Sequence, residues 1–113
     1  MTGSDEVMNN AYQALAQRAW DSNRVRAGEL AALVTDWRRT GVMDADQRER
    51  GRSVAHSLRG SAGTFGHDGA AVAAEELEHL LASGSGTVPP LDVVENLVER
   101  IDRELALAPQ LEF

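Results

Sequence analysis

His56 lies in a run of small residues that reads Val54-Ala55-His56-Ser57-Leu58-Arg59-Gly60-Ser61-Ala62-Gly63-Thr64-Phe65-Gly66. At a helical advance of about 100° per residue, Val54, Leu58 and Phe65 fall opposite the histidine, with Ala55 and Ala62 beside them. The apolar side faces a core, so the imidazole faces away from it. On the histidine's own side come Gly60 and Gly63, with Arg59 one turn after it and Arg52 one turn before it. Unperturbed imidazole, with a pKa of about 6.5, is largely neutral and nucleophilic near neutral pH. Two guanidinium groups within reach can hold phosphoryl oxygens. A lone exposed histidine is ordinarily plain surface, but each helix-interior glycine costs roughly 1 kcal/mol against alanine. Two of them beside a nucleophile are explained if another protein's backbone must approach closely. The chemistry this pattern fits is phosphoryl transfer, which needs positioning and charge stabilisation above all.

These residues resemble the histidine-containing phosphotransfer (HPt) family, whose signature is His-x-Leu-Lys/Arg-Gly followed by small residues and another glycine. Here it stands as His56-Ser57-Leu58-Arg59-Gly60, then Gly63 and Gly66, and Leu77-Glu78 matches a Leu-Glu pair the family often carries on its next helix. The resemblance implies that His56 is the phosphoacceptor, through Nε2, and that Arg59 stands where the family's Lys/Arg stabilises the phosphoryl group. It implies that Gly60 gives the partner access and that Gly66 closes the helix in a structural role. Arg52 as a second phosphoryl-stabilising cation and Gly63 as part of the docking surface come from the helical wheel alone. The implied partners are response-regulator receiver domains and hybrid histidine kinases. The Mg²⁺ and most of the catalysis would belong to the receiver, leaving this chain a phosphocarrier with no cofactor and no autonomous enzyme activity.

Two other readings remain. The dimerisation and phosphotransfer domain of sensor histidine kinases shares the His-x-Leu-Arg core, but it carries an acidic residue at the position of Ser57 and Thr-Pro where this chain has Gly60-Ser61. A helical adaptor that is never phosphorylated is the other, against which the presence of His56 argues. Glu75 and Glu76 precede His79 by four and three residues, yet a bundle di-metal centre needs two such motifs and only one exists, so no metal site is expected. His67 reads as a loop histidine in the neighbourhood of the phosphoryl site. No nucleophile–histidine–acid constellation, P-loop or dinucleotide fingerprint is present.

Helices must hold this site, since apolar residues recur at three-and-four spacing and no stretch alternates as a strand would. Val7, Met8, Ala11, Tyr12, Leu15, Ala16, Ala19 and Trp20 mark a first helix, and Ala27, Leu30, Ala31, Leu33, Val34 and Trp37 a second. Asp21-Ser22-Asn23 could cap a restart between them, or the two could form one bent helix. Asp44-Ala45-Asp46-Gln47 resembles a capping box that opens the helix carrying His56, from near Ala45 to about Phe65. Gly66 and a cap at Asp68 precede an alanine-rich helix over 70–81. Ser83-Gly84-Ser85-Gly86-Thr87-Val88-Pro89-Pro90 is a flexible connection, and Leu91, Val94, Leu97, Val98, Ile101 and Leu105 mark the last helix. Short connections imply antiparallel neighbours. The expected fold is all-α: an antiparallel up-down four-helix bundle with an additional N-terminal helix, Trp20 and Trp37 packing into it. A single domain over 1–113 is expected, with a core of about 5–108 and a frayed tail over 109–113.

Composition bounds the rest. With 18 acidic and 11 basic residues the chain carries a net charge of −7, which disfavours nucleic acid as a partner. Every basic side chain is arginine, and there is no cysteine, which removes disulfides and thiol chemistry and fits a reducing compartment. The polar, acidic start and the lack of a long apolar run predict a cytoplasmic protein without membrane insertion, and the phosphotransfer bundle is expected to be a monomer.

Overall fold

The computed structural model describes residues 3–82 and 87–110, which form four helices: α1 (Gly3–Thr40), α2 (Ala45–Thr64), α3 (Asp68–Leu81) and α4 (Leu91–Leu105). No strand occurs among the described residues. α2 packs on α1 and α3, and α4 closes the ring against α3 and α1. The core is aliphatic and alanine-rich. Leu30, Val34 and Trp37 of α1 meet Ala55, Leu58 and Ala62 of α2, five residues of α3 including Leu77 and Leu81, and Val94, Leu97, Val98, Ile101 and Leu105 of α4. The alanines at 70, 73 and 74 are fully buried, which lets neighbouring helices approach α3 closely.

The separate N-terminal helix is not found: both apolar stripes lie on the single 38-residue α1. The residues that could have capped a restart act laterally. Asp21 accepts from the Gln17 side chain, while fully buried Asn23 donates to Ser61 Oγ of α2 and accepts from Arg26. At about 1.5 Å per residue such a helix is roughly 57 Å long, and it sets the 59 Å long dimension of the molecule. Its first turns reach past the bundle, leaving Val7 and Met8 about two-thirds exposed. Trp37 is buried as expected, and Trp20 lies at the bundle's end with its indole N–H donating to Leu105 O.

The capping box at the start of α2 is formed in full. The Asp44 carboxylate accepts from the Gln47 amide and the Gln47 side chain accepts from the Asp44 amide. α3 begins two residues earlier than its alanines indicate. Its N-cap is His67, which makes no side-chain cap bond, and Asp68 sits in the first turn instead of capping it. Of the Gly-Ser connection, residues 83–86 lie outside the described residues, and Pro90 caps α4. Part of the tail expected to fray is held in place, because the Gln110 amide donates to Gly66 O. Residues 111–113 lie outside the described residues. Gly66 has φ +89°, and a Cβ there would run into the Gln110 backbone, so both conformation and space demand glycine.

Candidate functional site

Two devices fix the register of α2 against α3. At one end the Arg48 guanidinium donates to Leu81 O and Ala82 O, closing off the C-terminus of α3. At the other, the His67 amide donates to Ala62 O and ties the connection down. Between them the helices run antiparallel with small residues at the crossing: a Cβ on Gly63 would lie 3.7 Å from Ala71 Cβ. Arg59 then faces Glu75 and His56 faces Glu78, each step back along α2 matched by one forward along α3.

His56 is 57% exposed at its side chain, and its Nδ1 lies 2.7 Å from Glu78 Oε2. Glu78 is only 14% exposed. Opposite a carboxylate, which as an anion can only accept, Nδ1 is the ring nitrogen placed to donate, and the tautomer with hydrogen on Nδ1 has its lone pair on Nε2. Glu78 has two further neighbours: Arg59 Nε is 3.5 Å from Oε1 and Arg52 Nη1 is 3.7 Å from Oε2. Arg52 itself is gripped by Glu49 on the preceding turn, Nε to Oε2 at 2.9 Å and Nη2 to Oε1 at 2.6 Å. That pairing holds the Glu49 carboxyl below its ordinary value and raises Arg52, with Glu78 adding to the latter. Arg59 is held more loosely, its contact with Glu75 being 3.9 Å.

The sequence-derived residues thus fall into two groups. His56, Arg52 and Arg59 converge on one carboxylate, and Gly60 and Gly63 are exposed along the same helix. An added Cβ on Gly60 would meet nothing within 4 Å, so the fold does not require a glycine there. Gly66 and His67 stand apart at the bundle's end. His67 does lie in the connection between α2 and α3, but not beside His56: it is buried, its ring stands 5.2 Å from that of Trp20, and its Nε2 bonds to Leu107 O. The roles of Glu49, Glu75 and Glu78 were not read from the sequence. Only the Leu77-Glu78 pair signalled one of them, because the α2–α3 register that brings them to His56 is a tertiary property.

The site is an open face. A groove of about 370 Å³ lies between α1 and α2 and is lined by Leu33, Asp36, Gly51 and neighbours, without His56. Among the described residues no group of three or more His, Asp or Glu side chains could hold a metal ion, and Glu75 faces Arg59. No helix there is long and apolar enough to cross a membrane.

A comparison with protein families matches the Hpt domain over residues 2–106, nearly the whole chain. The chain belongs to the Hpt family. Hpt domains are helical phosphocarrier modules of two-component phosphorelays that interact with receiver domains and kinases. No curated protein and no solved structure matches this Hpt chain.

Proposed function

We propose that this Hpt domain takes a phosphoryl group onto His56 Nε2 from a receiver-domain aspartate and returns it to one. The observation that carries the proposal is the Nδ1–Glu78 hydrogen bond, which turns the Nε2 lone pair outward on an exposed face. In the forward step Nε2 attacks phosphorus, an N–P bond forms, the P–O bond to the aspartyl carboxyl breaks, and its electron pair returns to the carboxylate. The ring, still protonated at Nδ1, becomes cationic as the bond forms. Glu78 stabilises that charge at the moment it develops, as preorganised electrostatics require.

Arg59, and with it Arg52, offsets the phosphoryl oxygens, while Gly60 and Gly63 let the receiver's loops approach Nε2. Gly66 serves the fold. Catalysis is left to the receiver's acidic pocket and its Mg²⁺, so this chain holds no cofactor of its own and works as a cytoplasmic monomer. The test is a transfer assay with a panel of phosphorylated receiver domains from the source organism, comparing wild type with His56→Gln. Acid-labile, base-stable label on the wild type alone is the expected result. A folded wild type that stays unlabelled across the panel would instead point to a silent adaptor.

A further inference from the structure

Five charged side chains surround His56, and the cations are outnumbered. Arg52 and Arg59 face Glu49, Glu75 and Glu78. A phosphoryl group brings close to two more negative charges at neutral pH, so any arginine that serves it must first loosen a carboxylate. The three carboxylates do not yield equally. Glu78 is mostly buried and is tied to His56 Nδ1, the ring nitrogen that the phosphoryl group leaves free. Glu75 touches Arg59 only at 3.9 Å. Glu49 holds Arg52 by two parallel short hydrogen bonds, the geometry in which arginine binds carboxylates best and also the one it would offer a phosphoryl group.

Resting on the phosphoacceptor reading of His56, we propose that Glu49 is a competitor for Arg52. It clamps the guanidinium in the unphosphorylated protein, gives it up in part to phospho-His56, and thereby sets how strongly the histidine retains its phosphoryl group. Glu49 never touches the reacting atoms and acts only through Arg52. The pair is exposed, with the Glu49 side chain 57% and Arg52 32% accessible, so the competition is modest. Exposed pairs of this kind shift an equilibrium about two- to five-fold.

The test measures the equilibrium distribution of phosphoryl between a receiver domain active in the transfer assay and this protein, for wild type, Glu49→Gln, Arg52→Gln and the double variant at one ionic strength. Glu49→Gln is expected to move the distribution toward His56 by about two- to five-fold, Arg52→Gln to move it back toward the receiver, and Glu49→Gln to add little once Arg52 is gone. An equal effect of Glu49→Gln with and without Arg52 would show simple removal of a negative charge and overturn the exchange. No effect in either background overturns it as well. Transfer to His56 in all four proteins keeps the phosphoacceptor reading standing in both cases, whereas loss of label from wild type removes that reading and this one together.

Discussion

In the proposed transfer the imidazole of His56 needs no unusual activation, only the right nitrogen presented to the partner. Glu78 provides this from a site nearly closed to solvent, and its Oε1 has no hydrogen-bond partner, although Arg59 Nε stands 3.5 Å away. Replacing Glu78 by alanine removes a charge-assisted hydrogen bond of about 1.5–3 kcal/mol. Transfer to His56 is expected to slow by roughly ten-fold or more, with unchanged helicity by circular dichroism. Gly60 separates stability from function differently. With open space where its Cβ would stand, Gly60→Ala is expected to raise stability by up to about 1 kcal/mol, measured as the urea midpoint. Gly60→Leu should fold equally well and transfer poorly, because its side chain rises into the approach of the receiver. Much of this residue-level picture was legible: the wheel alone turns His56 outward and brings Arg52, Arg59, Gly60 and Gly63 to its side. The carboxylates were not: Glu49 belongs to no pattern, Glu75 shows only a spacing to His79 that points elsewhere, and their contacts with the arginines depend on rotamers and register.

The helices were readable where a local rule fixes them. The capping box at Asp44 and Gln47 and the apolar run of α4 appear where spacing puts them, because capping and amphipathicity are settled within a few residues. The junction of the first two apolar stripes was not settled that way. Asp21-Ser22-Asn23 can cap a helix, but Asn23 finds Ser61 across the bundle and the helix continues. The burial of His67 is hidden for a related reason: next to Gly66 it is the loop residue it looks like, and only Trp20 and Leu107 explain why it is buried. One acid-sensitive link joins α1 to α2. Asp36 accepts from Arg39 and from Gln47 of the capping box, and these bonds hold its carboxyl below the ordinary value of 3.8. A depressed folded-state value makes the contribution complete above the unfolded value and progressively lost as pH falls through the folded one. Asp36→Asn is therefore expected to lower the urea midpoint at about pH 6 and to lie much closer to wild type near pH 3.

At the scale of the molecule, a bundle whose chemistry sits on one helix face gains nothing from an enclosed pocket. It offers an open approach along α2, as the proposed exchange of a phosphoryl group with a second protein requires. The overhanging start of α1 contributes little to this architecture. Deletion through Ala11 removes exposed Val7 and Met8 and spares Tyr12, whose ring lies 5.9 Å from that of Phe65. The melting temperature is expected to change by only a few degrees, in line with about 1 kcal/mol or less for surface segments of a domain this size. The overhang was beyond sequence reasoning because Val7, Met8, Ala11 and Leu15 have the spacing of a buried stripe, and spacing does not say whether a partner helix extends that far.

The central claim is that Glu78 fixes the hydrogen on His56 Nδ1 and leaves Nε2 to be phosphorylated. Long-range ¹⁵N–¹H NMR of the ¹⁵N-histidine-labelled protein, recorded before and after phosphorylation by an active receiver, tests it most directly. The account predicts a neutral ring protonated at Nδ1 in the free protein and phosphorus coupled to Nε2 of the same ring afterwards. A free ring protonated at Nε2, or phosphate on Nδ1 or on another histidine, would contradict it.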